Sequence, residues 1–187
     1  MNIIIIHRDR KSEISDIEEA FEDIRNSDVR LESFNVDAIQ KEKRESLITE
    51  ITKVLGDKGK IRTLVHSIAK GNLKPMNGEG PVLENIDFQL TLDAMALSLY
   101  DWTQDVFKAN LFSKDARVIS FTSEGSQKAW PNYGAVSVAK AALESITRSM
   151  ALEFAPFGIR ANCIQAGVTV TRSFQMIPGS DTLREHA

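Results

Sequence analysis

Tyr133 and Lys140 stand seven residues apart in the stretch SEGSQKAWPNYGAVSVAK, which runs from Ser123 to Lys140. An α-helix advances about 100° per residue, so this step falls roughly 20° short of two turns and leaves both side chains on one face. A phenol and an ammonium then share one site. The cation favours the phenolate and tunes the tyrosine towards hydrogen-bond donation, or proton transfer, onto an oxyanion that develops during a reaction. The plain alternative is an amphipathic helix with an ordinary tyrosine near its start and a solvated lysine.

Such a pair needs a scaffold, and the chain shows one. Apolar runs of strand length are expected at Asn2–His7, Val29–Asn35, Ile61–Ser67, Arg117–Thr122 and Ile159–Ile164. Longer helical patterns alternate with them at Ser12–Arg25, Ala38–Leu55, Glu84–Phe112 and Pro131–Phe154, with a short one at Arg172–Met176. This alternation predicts βαβ units: an α/β chain with a doubly wound parallel sheet and helices on both faces. Ser12, Ser15 and Asp16 supply a helix-start signal, and Gly56 and Gly158 sit where helix ends want a left-handed residue. The loop from Ala69 to Pro81 is the longest irregular piece and follows the carboxyl end of a strand; it reads as a binding loop or as a loose connector. Helix Glu84–Phe112 is apolar on more than one face, counting Leu90, Met95, Leu97, Leu99, Trp102 and Val106. That pattern predicts burial on two sides, with a second subunit or within the core.

Bulk properties exclude several classes. At 187 residues, 42% hydrophobic and 26% charged, the chain reads as a single globular domain. A net charge of -3 offers no footprint for nucleic acid or for a membrane surface. One cysteine, Cys163, rules out an internal disulfide framework and, with three histidines, argues against a metal site; the expected address is cytoplasmic. Ile3 to Ile6 is too short for the apolar core of a signal peptide and reads as a buried strand.

Taken together, these features resemble the short-chain dehydrogenase/reductase superfamily, and within it the enoyl-acyl-carrier-protein reductases. The wider superfamily spaces its tyrosine and lysine by three residues and the enoyl reductases by six; the position four before Lys140 is Val136, which donates no proton. The run from Asn132 to Ala141 resembles the enoyl-reductase active-site helix, and Leu64–Ala69 resembles that group's strand and cofactor-contacting turn. Gly158–Asn162 and Ala166–Thr171 are similar to the superfamily's sixth strand and the loop beside the nicotinamide.

The resemblance implies roles. Tyr133 would hydrogen-bond the thioester carbonyl, and Lys140 would hold the nicotinamide ribose. Ser123 falls where the wider superfamily keeps its catalytic serine and many enoyl reductases keep an aromatic residue, which makes it auxiliary. Ser67, Ile68 and Ala69 would line the cofactor, Asp37 would meet the adenine amine, and Gly167 and Thr171 would border the carboxamide or pyrophosphate. Arg8 and Arg10 flank the end of the first visible strand, where an arginine accommodates the 2′-phosphate of NADP and an acid the 2′-hydroxyl of NAD; NADP is favoured over NAD.

The departures are expectations too. No Gly-rich strand-to-helix turn occurs, and Gly71, Gly78 and Gly80 do not match its pattern, so the domain reads as truncated at both ends. In the usual strand order the absent first strand is central, which predicts that Asn2–His7 closes directly on Ile61–Ser67 or leaves unpaired edges. Three functions compete. The first is reduction of a 2,3-unsaturated acyl thioester, carried by acyl carrier protein, in fatty acid synthesis. The second is reduction of a ketone or aldehyde. The third is an inactive subunit-interaction module, pairing as a homodimer or homotetramer through helices 84–112 and 131–154.

Overall fold

The computed structural model describes residues 2–27 and 29–181. The chain forms two compact units, Met1–Lys58 and Gly59–Ala187.

The first unit is a βαβα run: β1 Ile3–His7, a 3-10 turn at Lys11–Glu13, α1 Ile14–Arg25, β2 Leu31–Asn35 and α2 Lys41–Leu55. β1 and β2 pair in parallel from Ile3 opposite Leu31 to His7 opposite Asn35. Phe21, Leu31, Leu47 and Ile51 are its buried apolar side chains. The expected serine cap of α1 is not formed. The preceding 3-10 turn starts the helix instead, and the Ser15 hydroxyl donates to the neighbouring Asp16 carboxylate. α2 ends at Gly56, whose φ of 61° is open to glycine without a Cβ penalty.

The second unit places β3 Ile61–His66, β4 Phe112–Thr122 and β5 Ile159–Gln165 in one parallel sheet of order β3-β4-β5. Between β3 and β4 run α3 Asn85–Leu92, a single π-helical turn at Asp93–Leu97, and α4 Ser98–Lys108. α5 Gly134–Glu153 connects β4 to β5, and α6 Arg172–Gln175 follows. The alternate side chains Ala116, Val118, Ser120 and Thr122 of β4 are buried, as a strand covered by helices on that face requires. Ala96, Leu99, Leu143, Met150, Phe154, Ile159 and Ala161 complete the core.

Three expectations are corrected. The helix drawn over Glu84–Phe112 is broken by the π turn and stops at Lys108, because Asn110 takes a left-handed φ of 53° and β4 begins at Phe112, five residues before the expected Arg117. α2 starts at Lys41 rather than Ala38, and α5 at Gly134 rather than Pro131. The loop after β3 is anchored, not loose. The Asn72 backbone amide donates to Thr91 Oγ1 at 3.1 Å and its side-chain amide to the Asp87 carbonyl at 3.3 Å, and Lys74 grips both carboxylate oxygens of buried Asp87 at 2.9 Å. Within the first unit β1 pairs with β2, and within the second β3 pairs with β4. Among the described residues no helix is long and apolar enough to cross a membrane.

Candidate active site

The turn that delivers Tyr133 is written in its residues. The Tyr133 amide donates to the Trp130 carbonyl at 3.2 Å, Pro131 sits second in the turn, and Asn132 third with a φ of 64°. Proline at the second position and a left-handed asparagine at the third is the requirement of a type II turn. It leaves Tyr133 as the N-cap residue of α5, with its carbonyl accepting the Ser137 amide at 2.8 Å.

Both candidate side chains then reach the carboxyl end of β4. A Cβ added at Gly125 would lie 2.5 Å from Tyr133 Cε1 and 3.3 Å from Ser123 Oγ, so this glycine lets the phenol ring and the serine hydroxyl crowd the same spot. Lys140 Nζ donates to the Phe121 carbonyl at 2.6 Å. The pair therefore converges on residues 121–125, the strand end and the turn after it. Ser123 Oγ is buried and has no hydrogen-bond partner, a state that costs free energy unless something else meets it. The Lys140 ammonium has three donors and spends one on Phe121.

Electrostatics mark the same region. Burial pushes the Lys140 pKa down, with the nearby Cys163 thiol opposing it. Burial, with the Lys140 charge second, lowers the His66 pKa to about 4. His66 is thus a neutral imidazole near neutral pH. The Ser98 hydroxyl donates its one proton to the Ala94 carbonyl at 2.7 Å, so the 2.7 Å contact with His66 is a bond donated by Nε2–H. His66 was not singled out by sequence; its signal was a histidine in an otherwise apolar strand immediately before Ser67.

Of the other candidates, Ser67, Ile68 and Ala69 follow the carboxyl end of β3, with Ser67 and Ala69 exposed. Gly167 is exposed beyond β5, and Thr171 Oγ1 caps α6 by accepting the Phe174 amide at 3.1 Å. Neither is brought to the Tyr133–Lys140 pair by a described contact. Gly71 is a packing glycine: a Cβ there would lie 2.5 Å from a Val136 methyl and 3.0 Å from Met95 Sδ. Within the first unit, Arg8 and Asp37, read separately, form an ion pair at 3.0 Å, while Arg10 is exposed.

Two clefts touch α5. One of about 540 Å³ lies between Lys74–Asn77 and the turn Gly125–Asn132, reaching Gly134 and Val138. The other, about 330 Å³, is lined by Glu144, Arg148, Asn162 and Cys163. Tyr133 and Lys140 line neither; Tyr133 adjoins the larger one through Gly125 and Gly134.

A family model described as Enoyl-(Acyl carrier protein) reductase matches residues 1–187. The chain belongs to this family. Among its curated relatives, the NADH-dependent enoyl-[acyl-carrier-protein] reductase FabI of Aquifex aeolicus is 30% identical over 128 residues, 68% of this chain and 47% of that protein. The NADPH-dependent enoyl-[acyl-carrier-protein] reductase FabI of Staphylococcus aureus is 30% identical over 139 residues, 74% of this chain and 54% of that protein. The chain spans about half the length of these curated relatives. The crystal structure of the Aquifex aeolicus enzyme superposes with a TM-score of 0.77 at 26% identity, covering 97% of this chain and 67% of that one. The parallel sheets with their helices are therefore the Rossmann-type fold of an enoyl-reductase family member.

Proposed function

We propose that this chain carries the catalytic pair of an enoyl-thioester reductase, which reduces a 2,3-unsaturated acyl thioester presented on acyl carrier protein during fatty acid synthesis. The observation that carries this reading is the convergence of Tyr133 and Lys140 on residues 121–125 beside the unpaired Ser123 hydroxyl. Tyr133 donates to the thioester carbonyl oxygen and stabilises the negative charge that develops there, with the Lys140 ammonium at the same strand end.

The polar groups of this site fit the nicotinamide-ribose end of a dinucleotide: Lys140 has donors to spare and Ser123 Oγ lacks a partner. When bound, the nicotinamide cofactor supplies the hydride that reaches the β-carbon. Lys140 holds the ribose hydroxyls. Ser67, Ile68 and Ala69 border the cofactor at the end of β3, and Gly167 and Thr171 border its carboxamide side. In the first unit Arg8, Arg10 and Asp37 belong to the adenosine end.

A cytoplasmic, self-associating protein completes the reading. Ile86, Leu90, Leu97 and Tyr100 are exposed along 85–108, as are Val138 and Leu152 on α5, and a second copy covering them would account for both helices.

Turnover of crotonyl thioester with NADH or NADPH, followed by loss of the reduced nicotinamide absorbance, tests the proposal. Activity abolished by Tyr133→Phe supports it; a chain that binds nucleotide yet leaves the enoyl thioester untouched sinks it. The buried Ser123 hydroxyl beside Tyr133 favours a second reading, in which both donate to the carbonyl of a ketone or aldehyde. A substrate panel separates the two, since only that reading predicts that Ser123→Ala abolishes turnover.

A further inference from the structure

His66 is a buried imidazole that the proposed chemistry does not use. It ends β3 opposite Ser120 of β4, one residue before the Phe121 carbonyl that holds Lys140. His66 Nε2–H donates to Ser98 Oγ at 2.7 Å, and the Ser98 hydroxyl donates to the Ala94 carbonyl at 2.7 Å. Ala94 lies in the π turn, where the Ser98 amide reaches back to the Asp93 carbonyl; the Ala94 carbonyl, which a regular α-helix would give to that amide, takes the hydroxyl. The turn that follows β3 is exposed at Ser67, Ala69 and Lys70. Its far end is fixed to the same helical run, since the Asn72 amide donates to Thr91 Oγ1 at 3.1 Å and Gly71 leaves room for Met95 and Val136. An exposed turn is thus clamped at both ends, to Thr91 before the π turn and to Ser98 after it.

We infer that His66 is a positioning residue for the nicotinamide cofactor, acting through Ser98 to hold the turn Ser67–Ala69 where the cofactor would border it. The inference rests on the dinucleotide reading above. An exposed turn has little of its own to fix it, so its shape follows its two anchors. Removing the buried anchor leaves the Asn72 end in place and lets residues 67–69 sample other conformations. Binding must then select one of them, and the apparent affinity falls with the fraction populated. The chemical step, carried by Tyr133 at the end of β4, does not pass through this turn. Cofactor affinity therefore falls while turnover at saturating cofactor holds. A role in stability alone would lower the urea midpoint and leave both untouched.

The test is calorimetric binding of NADH and NADPH to the 187-residue chain and its variants, with turnover of crotonyl thioester measured beside it. Ser98→Ala and His66→Leu are expected to weaken both nucleotides roughly threefold to tenfold, the weight of one neutral hydrogen bond, with turnover at saturating nucleotide changing less than about twofold. His66→Gln, which keeps an N–H near the place of Nε2, is expected to bind within about twofold of wild type. The double variant Ser98→Ala/His66→Leu is expected to be no weaker than either single one, because both break the same bond. Unchanged affinity in Ser98→Ala beside a lowered urea midpoint overturns the inference alone, as does a His66→Gln chain that binds as poorly as His66→Leu. Failure of both Ser98→Ala and His66→Leu to fold overturns it too, since the bond is then structural. A wild-type chain that binds neither nucleotide removes the dinucleotide reading as well.

Discussion

The carboxyl end of β1 and β2 and the carboxyl end of β4 are equivalent places in a parallel fold, yet they are finished in opposite ways. At the first, polar groups answer one another: Arg8 with Asp37, His7 with Asp9, and Asn35 with the Asp9 backbone. At the second, Ser123 Oγ is buried without a partner and Lys140 spends one donor of three. A satisfied strand end needs no ligand to be stable, whereas an under-satisfied one has its free energy lowered when a ligand arrives. That contrast is why the proposed chemistry is placed at the end of β4.

The contrast breaks first at Tyr133. Replacing it by phenylalanine is expected to cost roughly 10²- to 10⁴-fold in turnover, the usual contribution of a positioned proton donor, with the dissociation constant of the nucleotide changing less than about threefold. A comparable loss of nucleotide binding would show that the phenol holds cofactor rather than polarising substrate.

Next comes the neutral histidine beneath the site. His66 has a pKa of about 4 against an ordinary 6.5, so in the window between them the unfolded chain binds the extra proton. Its contribution to stability is therefore full above pH 6.5 and is lost as pH falls towards 4, on the order of 3 kcal/mol over the window. Urea midpoints for wild type and His66→Gln between pH 7 and pH 4 check this, and parallel slopes would remove His66 as the cause.

Gly125→Ala is a finer probe. Its new methyl meets the Tyr133 ring at 2.5 Å, a separation only a moved ring relieves. We expect a loss of turnover of roughly tenfold or more from displacement of the ring, with a melting temperature little changed because the turn is at the surface. The smallest effect belongs to the loop after β3. Lys74 holds the Asp87 carboxyl below its usual range, with the Glu84 amide assisting. The stabilisation is present above the ordinary carboxylate pKa of 3.8 and is lost as pH falls through the lowered one. Amide exchange over residues 72–84 in Lys74→Met should rise near neutral pH without a change in the core; unchanged exchange would show that Asn72 and Gly71 alone anchor the loop.

Much of this was legible from the residues. The alternation of short branched runs with long amphipathic ones placed the five strands and the long helices of the described chain, while reading the two helices over 85–108 as one. The spacing of Tyr133 and Lys140 is likewise local, whereas the Pro131–Asn132 turn reads, by sequence, as the start of the helix. What escaped were the partners. The Phe121 carbonyl is a backbone group that every position carries, and which glycine leaves space for Tyr133 is decided only by the fold. The π turn at Asp93–Leu97 shifts hydrogen bonds without any residue code, and the stop at Lys108 is set by the left-handed Asn110.

The sequence alone determined the alternating elements and a helix whose start can present a phenol and an amine together, since both follow from periodicities of a few residues. Tertiary structure decided which polar groups were left wanting. Whether Arg8 meets Asp37, 29 residues away, or Ser123 meets nothing, depends on strand register and on what packs overhead. Those distances are set only when the chain closes on itself, because a hydrogen bond is won or lost within a few tenths of an ångström.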